Sequence, residues 1–220
     1  MNELISIIIP VKNGHKYIRE AVAGIRKQNM DVEIIVVDDG SDDDTANIAG
    51  ELGCKVVRHE VNKGPVVAKN SGLKAATGSF VMFHDHDDIM RDGALQTLYN
   101  SFDENTDAVE AKVVDFYSPE LTEAERRQSV IKTEPFYGLF TGAILIRKSA
   151  FDKIGLFPEN MRAGEMLDWE HKMKQNGLTI KKIDLVSTDR RIHTTNFGKT
   201  DQQTEYKDYA AVLRARLMKK

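Results

Sequence analysis

The sequence is poor in the residues that most often staple or punctuate a fold. It has one cysteine, one tryptophan and five prolines in 220 residues. A single cysteine, Cys54, excludes an intramolecular disulfide and a cysteine-based zinc site, and it fits a reducing cytoplasm. Charge is balanced at a formal −3, so nothing global points to a nucleic-acid partner. Long apolar runs are missing too. The longest near the N-terminus, Leu4 to Val11, is broken by Ser6 and Pro10 and is far too short to span a membrane. It has neither the basic leader nor the cleavage site of a signal peptide and reads as a first β-strand. Membrane association is therefore expected only as a peripheral contact or through a partner.

Glycine-rich phosphate loops are also absent. No G-x-G-x-x-G follows the first strand and no G-x-x-x-x-G-K-[ST] occurs, which excludes a dinucleotide fingerprint and a P-loop. The acidic "DDGSDDDT" is not an EF-hand, because glycine is missing from its sixth position and glutamate from its twelfth. A chain that holds phosphate without these loops needs another device.

What is present is a regular alternation. "LISIIIP", "VEIIVVDD", "KVVRH" and "SFVMFH" read as buried strands. Between them lie a helix with Ile18, Ala21, Val22 and Ile25 on one face, a short helix "TANIAGEL", and a helix "VVAKNSGLKAA". The pattern predicts a mostly parallel, Rossmann-like α/β sheet flanked by helices on both faces. Ligands bind such sheets beyond the carboxyl ends of the strands. Three loops there are chemically loaded: residues 10–13, 38–41 and 85–88. Farther on, "AVEAKVVDFY" reads as a strand and residues 118–134 as a mobile or partly helical excursion. "GAILIRKSAFDKIGLF" reads as strand, short helix and turn, "AGEMLDWEHKMKQNG" as a helix, and "TIKKI" as a strand. The tail from Asp201 places Tyr206, Tyr209, Ala210, Leu213 and Leu217 on one amphipathic stripe.

The stretch "FVMFHDHDDIMRDG" runs from an apolar strand into five ionisable residues. On an extended chain Asp85 and Asp87 point to one side, and His84 and His86 to the other. Paired carboxylates at a strand end suit a hard divalent cation that also binds phosphate oxygens, although a solvated turn capping the next helix has the same composition. In "DDGSDDDT", Asp44 or Thr45 suits a helix cap, which leaves Asp38 and Asp39 on the strand end.

The order and spacing of "SIIIPVKN", "EIIVVDDGSDDDT", "NKGPVVAKNSGLKAATGSFVMFHDHDD" and "GAILIRKSAFDKIGLF" resemble family 2 glycosyltransferases of GT-A fold. The resemblance runs from Ser6 to His193. It implies a single GT-A domain that inverts at the anomeric carbon. The sugar would come from a nucleotide-diphosphate donor, usually a UDP-sugar, with Mn²⁺ or Mg²⁺ as cofactor. Residues 1–110 would form the nucleotide-sugar half, 111–200 the acceptor-binding half, and 201–220 a C-terminal helix. The resemblance implies that Asp39 binds the nucleobase, with Pro10 and Val11 lying against it. Asp85-His86-Asp87 matches the D-x-D motif, in which Asp85 faces the ribose and Asp87 binds the metal bridging the phosphates. His193, in "RRIHTTN", joins the metal or diphosphate in many relatives. Lys69 stands where relatives often carry arginine and keeps a charge near the diphosphate without the bidentate fork.

Inversion needs a carboxylate to take the acceptor's proton opposite the leaving diphosphate. Relatives place Glu-Asp at the start of a helix for this; here Met166 occupies the second position. Glu165 and Asp168 share a helical face at i and i+3. Asp168, beside Trp169 as an aromatic wall, is the favoured base, with Glu165 second. The membrane helices and Q-x-x-R-W signature of processive synthases are missing, so one sugar per encounter is expected, delivered to a glycan or lipid-linked acceptor. Lipid-linked acceptors would suit a peripheral membrane contact by the C-terminal helix, at the inner face of a membrane. Two other readings stay open: a nucleotidyltransferase of related fold, which normally carries a glycine-rich basic loop after the first strand, and a donor-binding module that has lost catalysis.

Overall fold

The computed structural model describes residues 3–138, 141–196, 208 and 210. The first half follows the alternation read from the sequence. It runs β1 (Ile5–Val11), α1 (Ile18–Arg26), β2 (Val32–Asp39), α2 (Thr45–Glu51), β3 (Lys55–His59), α3 (Pro65–Ala75) and β4 (Phe80–Phe83). The second half adds β5 (Ile89–Met90), α4 (Ala94–Asn100), β6 (Ala108–Tyr117), α5 (Glu123–Arg127) and a 3-10 turn (Thr141–Ala143). It ends with β7 (Ile144–Arg147), α6 (Ser149–Ile154), α7 (Glu165–Gln175) and β8 (Ile180–Ile192).

All eight strands form one sheet in the order β3-β2-β1-β4-β7-β6-β8-β5. The first four run parallel, β7 is antiparallel to both β4 and β6, β8 is parallel to β6, and β5 is antiparallel to β8. The continuous apolar runs follow from burial on both faces. Ile5, Ile7 and Ile9 of β1 pack with Ile18, Val22 and Ile25 of α1 and Leu95 and Leu98 of α4. Ile8 faces the other way, onto Val66 and Leu73 of α3, Phe151 of α6, and Trp169 and Met173 of α7. A Cβ on Gly72 would overlap Ile8 Cγ2 and lie 3.1 Å from Val37 Cγ2, so α3 sits directly on β1 and β2.

Register brings the loaded loops to one edge. Val11 lies opposite Asp38, Asp39 opposite His59, and Ile8 opposite Phe83. His84 N still bonds Ile8 O at 2.9 Å, after which the chain leaves the sheet.

Besides β5 and α4, which have no counterpart in the sequence reading, the clearest departure is in β8. The strand read as "TIKKI" continues to Ile192, because β8 pairs with β6 along most of its length. Its polar centre hid this: Ser187 and Thr188 are fully buried, and Thr188 Oγ1 donates to Gly142 O at 2.6 Å. The excursion after β6 is partly helical, as the sequence reading allowed. Its helix α5 begins with a capping box between Thr122 and Glu125, and Lys132 N donates to Asp115 Oδ2 at 3.0 Å. Of the expected tail helix only Asp208 and Ala210 are described, both helical. Asp208 accepts from the backbone N–H groups of Arg162 (2.7 Å) and Ala163 (3.1 Å). The rest of the stripe, Tyr206, Tyr209, Leu213 and Leu217, lies outside the described residues. No described helix is long and apolar enough to cross a membrane.

Candidate active site

The loops after β1 and β2 are bonded to each other. Asn13, held at φ 56°, donates its backbone N–H to Ser41 Oγ (2.9 Å) and accepts Asp42 N at its own Oδ1 (3.1 Å). Gly14 N donates to Thr45 Oγ1 at 2.9 Å, and His15 N to Asp43 Oδ2 at 3.2 Å. Asp44 is the N-cap residue of α2 but makes no side-chain capping bond; Asp43 Oδ1 instead accepts Thr45 N at 3.0 Å. Burial would raise the Asp43 carboxyl, but bonds from Thr45 and His15 outweigh it and bring it down to about 2. Asp38 is also internal: Oδ1 accepts Ser41 N at 3.0 Å and Oδ2 faces Arg58 Nε at 3.2 Å. Most of the acids of "DDGSDDDT" are therefore spent on holding loops.

Asp39 is buried. Its Oδ1 accepts from His59 Nδ1 (2.7 Å) and Lys63 N (2.8 Å), and its Oδ2 accepts from Gly64 N (2.7 Å). It fixes the loop leading into α3, where Gly64 takes φ 97°. Pro10 and Val11 end β1 beside Asp38, Val11 buried and Pro10 partly exposed.

The D-x-D segment does not continue as an extended strand. Asp88 N donates to Asp85 O at 3.3 Å, so residues 85–88 turn, and the strict alternation of acids and histidines expected there does not hold. The two acids remain within electrostatic range of each other. Burial pushes the Asp85 carboxyl up, with Lys69 opposing and Asp87 reinforcing. Burial also acts on Asp87, but His86 and a bond from His193 hold it below the usual range. Asp88 is driven well up by burial and by the neighbouring Asp87 and Asp85. Its Oδ1 accepts Arg191 N at 2.9 Å. His86 packs against Gly14, where a Cβ would lie 2.6 Å from His86 Cδ2.

From far along the chain, β8 delivers His193 to this turn. His193 Nε2 donates to Asp87 Oδ2 at 2.7 Å, and Asn196 Nδ2 approaches the same oxygen at 3.3 Å. His193 is 5% exposed and Asp87 9%, so the pair is an internal feature. One carboxylate and one imidazole meeting at a point fit a divalent cation whose other positions are filled by phosphate oxygens and water. Among the described residues no three His, Cys, Asp or Glu groups converge, so the protein would supply an open, incomplete shell.

The first turn of α7 separates the two base candidates. Glu165 is buried and paired with Lys69, which itself acts on Asp85, and Glu165 adds to the field at Asp85. Asp168 instead faces Lys172 one turn along its own helix, at 2.9 Å. The shared face expected at i and i+3 is thus divided between two ion pairs. Trp169 is not a wall beside Asp168: it is 1% exposed, in the core, with its ring 6.4 Å from that of Phe151. Met166 also lies in this core.

Sequence reasoning missed Tyr17, Glu20 and Asn196, and did not separate the two arginines of "RRIH". Arg190 pairs with Asp115 (2.8 and 3.2 Å), whereas Arg191 donates from Nε to Asp87 O (2.8 Å) and from its terminal nitrogen to Glu20 (2.6 Å). Strand alternation through residue 192 would have placed them on opposite faces, had the strand been read that far.

A family model described as glycosyl transferase family 2 matches residues 6–160. A pre-mycofactocin glycosyltransferase of Mycobacterium tuberculosis is 31% identical over 85% of this chain and 43% of its own length. Glycosyltransferase GlyG of Streptococcus pneumoniae is 39% identical over 47% of this chain and 36% of its own. The chain thus spans less than half the length of these curated relatives. Among solved structures, S. aureus TarS 1–349 in complex with UDP-GlcNAc superposes with a TM-score of 0.76 at 24% identity, covering 96% of this chain and 64% of that one. A mannosyltransferase from Pyrobaculum calidifontis, in complex with GDP-Man and Mn²⁺, gives 0.72 at 16% identity, covering 100% and 65%. These likenesses fix the fold as GT-A, and with the family model spanning most of its length the chain belongs to glycosyl transferase family 2.

Proposed function

We propose that the chain performs inverting, metal-dependent, non-processive transfer of a sugar from a UDP-sugar to a hydroxyl of a glycan or lipid-linked acceptor. The observation that carries this reading is the buried Asp87–His193 pair at the edge where β1, β2 and β4 deliver their loops. Structures of the same fold that hold UDP-GlcNAc, or GDP-Man with Mn²⁺, support a nucleotide-sugar there. Pro10, Val11 and Asp39 would border the nucleobase. Asp39 already binds three donors, so it would act as much by shaping the 60–64 loop as by touching the base. Asp85 and His86 would face the ribose, and Lys69 the diphosphate. Asp87 and His193 would hold Mn²⁺ or Mg²⁺, which supplies positive charge to the leaving diphosphate.

Glu165 is the stronger candidate for the base. It lies in the field of Asp85 and its ion pair with Lys69 orients it, while Asp168 is engaged along its own helix. Its task is to receive the acceptor's proton as the oxygen attacks the anomeric carbon. The core position of Met166 speaks against a module that has lost its catalytic acid at that site.

Calorimetry tests the reading. UDP should bind with Mn²⁺ far better than in EDTA, and Asp87→Ala should abolish that difference while leaving the fold intact. An unchanged metal dependence in Asp87→Ala would refute the assignment.

A further inference from the structure

His193 lies beyond the last residue of β8, so no sheet hydrogen bond fixes its ring. Three partners do. Nε2 bonds Asp87, Thr195 bonds Nδ1 through Oγ1 (2.9 Å) and its backbone N–H (3.3 Å), and the ring packs on Tyr17 with centroids 5.0 Å apart. A cation held by both Nε2 and Asp87 would displace the bond between them. The ring's orientation would then rest on Thr195 and Tyr17.

Tyr17 is well placed for that task. It is buried at the entrance to α1, and the guanidinium of Arg191 lies 4.9 Å from its ring centre. That guanidinium is backed in turn by Phe116 at 4.8 Å. The tyrosine is thus in contact with both the imidazole and the arginine that grips the Asp87 carbonyl. Its hydroxyl is fixed as well, donating to Glu120, which also receives Lys16 and Ser118. Glu120 opens the segment that leads from β6 through α5 back to the 3-10 turn beside His84. Tyr17 therefore joins the imidazole on the donor side to the segment that follows β6.

We infer that Tyr17 is a positioning residue for His193, its ring fixing the imidazole and its hydroxyl latching that ring to Glu120. The inference rests on the metal reading above and adds a residue to it. A residue at this remove acts on metal affinity and not on nucleotide contacts. Loss of such an outer partner typically costs about 10–100-fold in metal affinity.

The test is the ratio of UDP affinity in Mn²⁺ to that in EDTA, measured by calorimetry on the full chain. Tyr17→Leu should lower the ratio by about 10–100-fold with the EDTA affinity unchanged. Tyr17→Phe keeps the ring and should lose only a few-fold, roughly as much as Glu120→Gln. Because these two share one bond, the double variant should be no worse than either alone. A Tyr17→Leu ratio equal to wild type, or an equal loss with and without Mn²⁺, overturns the inference, the second by showing a merely structural role. Additive losses in Tyr17→Phe/Glu120→Gln overturn the latch. Asp87→Ala in the same titration separates the two claims. If it leaves the ratio intact, the metal reading fails and this inference with it. If it abolishes the ratio and Tyr17→Leu does not lower it, only the role of Tyr17 fails.

Discussion

The strands β1 to β4 and the strands β6 to β8 reach the same crevice by different routes. In the first set every strand runs the same way, so each carboxyl end delivers a loop to one edge, and helices of seven to eleven residues return the chain. In the second set β7 runs against its neighbours. Only the distal parts of β6 and β8 and the start of β7 reach the edge. The first arrangement places chemistry by topology. The second places it by individual bonds: Arg191 to the Asp87 carbonyl, Asp115 to Arg190, Asp208 to the turn before α7. Substitutions should therefore act differently in the two regions, and four experiments sharpen or break that contrast.

The largest effect is expected in α7. Glu165→Gln should lower sugar transfer by about 10²–10⁴-fold, the usual share of a general base, with Mn²⁺-dependent UDP binding retained. Asp168→Asn should cost far less, because it removes one arm of a helical ion pair with Lys172. The reverse ranking in a transfer assay would move the base one turn along the helix.

Next comes the packing of the parallel region. Gly72→Ala inserts a methyl between α3 and fully buried Ile8, and overpacking of this kind costs about 1–3 kcal/mol. Denaturant unfolding should show a loss toward the upper end. A variant as stable as wild type would mean that α3 slides freely on β1.

The third effect is one of pH. Burial drives the His84 imidazole down to about 4, only partly opposed by its bond to Asp88 O. The folded state keeps His84 neutral while the unfolded chain takes up a proton near the usual 6.5, so its stabilising contribution is complete above that value. It is lost progressively as pH falls toward about 4. At pH 5 it should amount to about 2 kcal/mol less than at pH 7. The difference in stability between wild type and His84→Asn should shrink accordingly across this window. A difference that stays constant with pH would show that His84 does not titrate this way.

The smallest effect belongs to the segment after β6. Thr122→Ala removes an exposed capping box and should cost about 1 kcal/mol or less, without altering UDP affinity. A loss of donor binding in this variant would erase the contrast between the regions.

The same contrast explains what could be read from the sequence. The strands β1 to β4 announced themselves because burial on both faces demands unbroken apolar runs, and their loop residues followed from the parallel topology. The ring of β8 contacts was hidden because Ser187 and Thr188 are buried polar residues, paired with backbone carbonyls that belong to distant segments. Trp169 misled for a related reason. An aromatic next to an acid on a helix reads as a site wall, yet adjacent helical residues point about a quarter-turn apart, and here one faces the core and the other a lysine. His193 was singled out by its resemblance to a later histidine of the family and by its place after a strand, behind Arg190 and Arg191. Arg191, which bonds the Asp87 carbonyl, and Tyr17, which packs on Arg191 and His193, have no local pattern that distinguishes them from packing residues.

The bonds between the β1 and β2 loops carry a further consequence. Asn13, Gly14 and His15 donate their amides to Ser41, Thr45 and Asp43. A ligand that settles against these loops meets a surface whose conformational entropy was surrendered during folding, so little ordering remains to be done on this side of the crevice. Selectivity for the nucleotide would then come from rigid fit. Adaptation to whatever accepts the sugar would fall to the opposite wall.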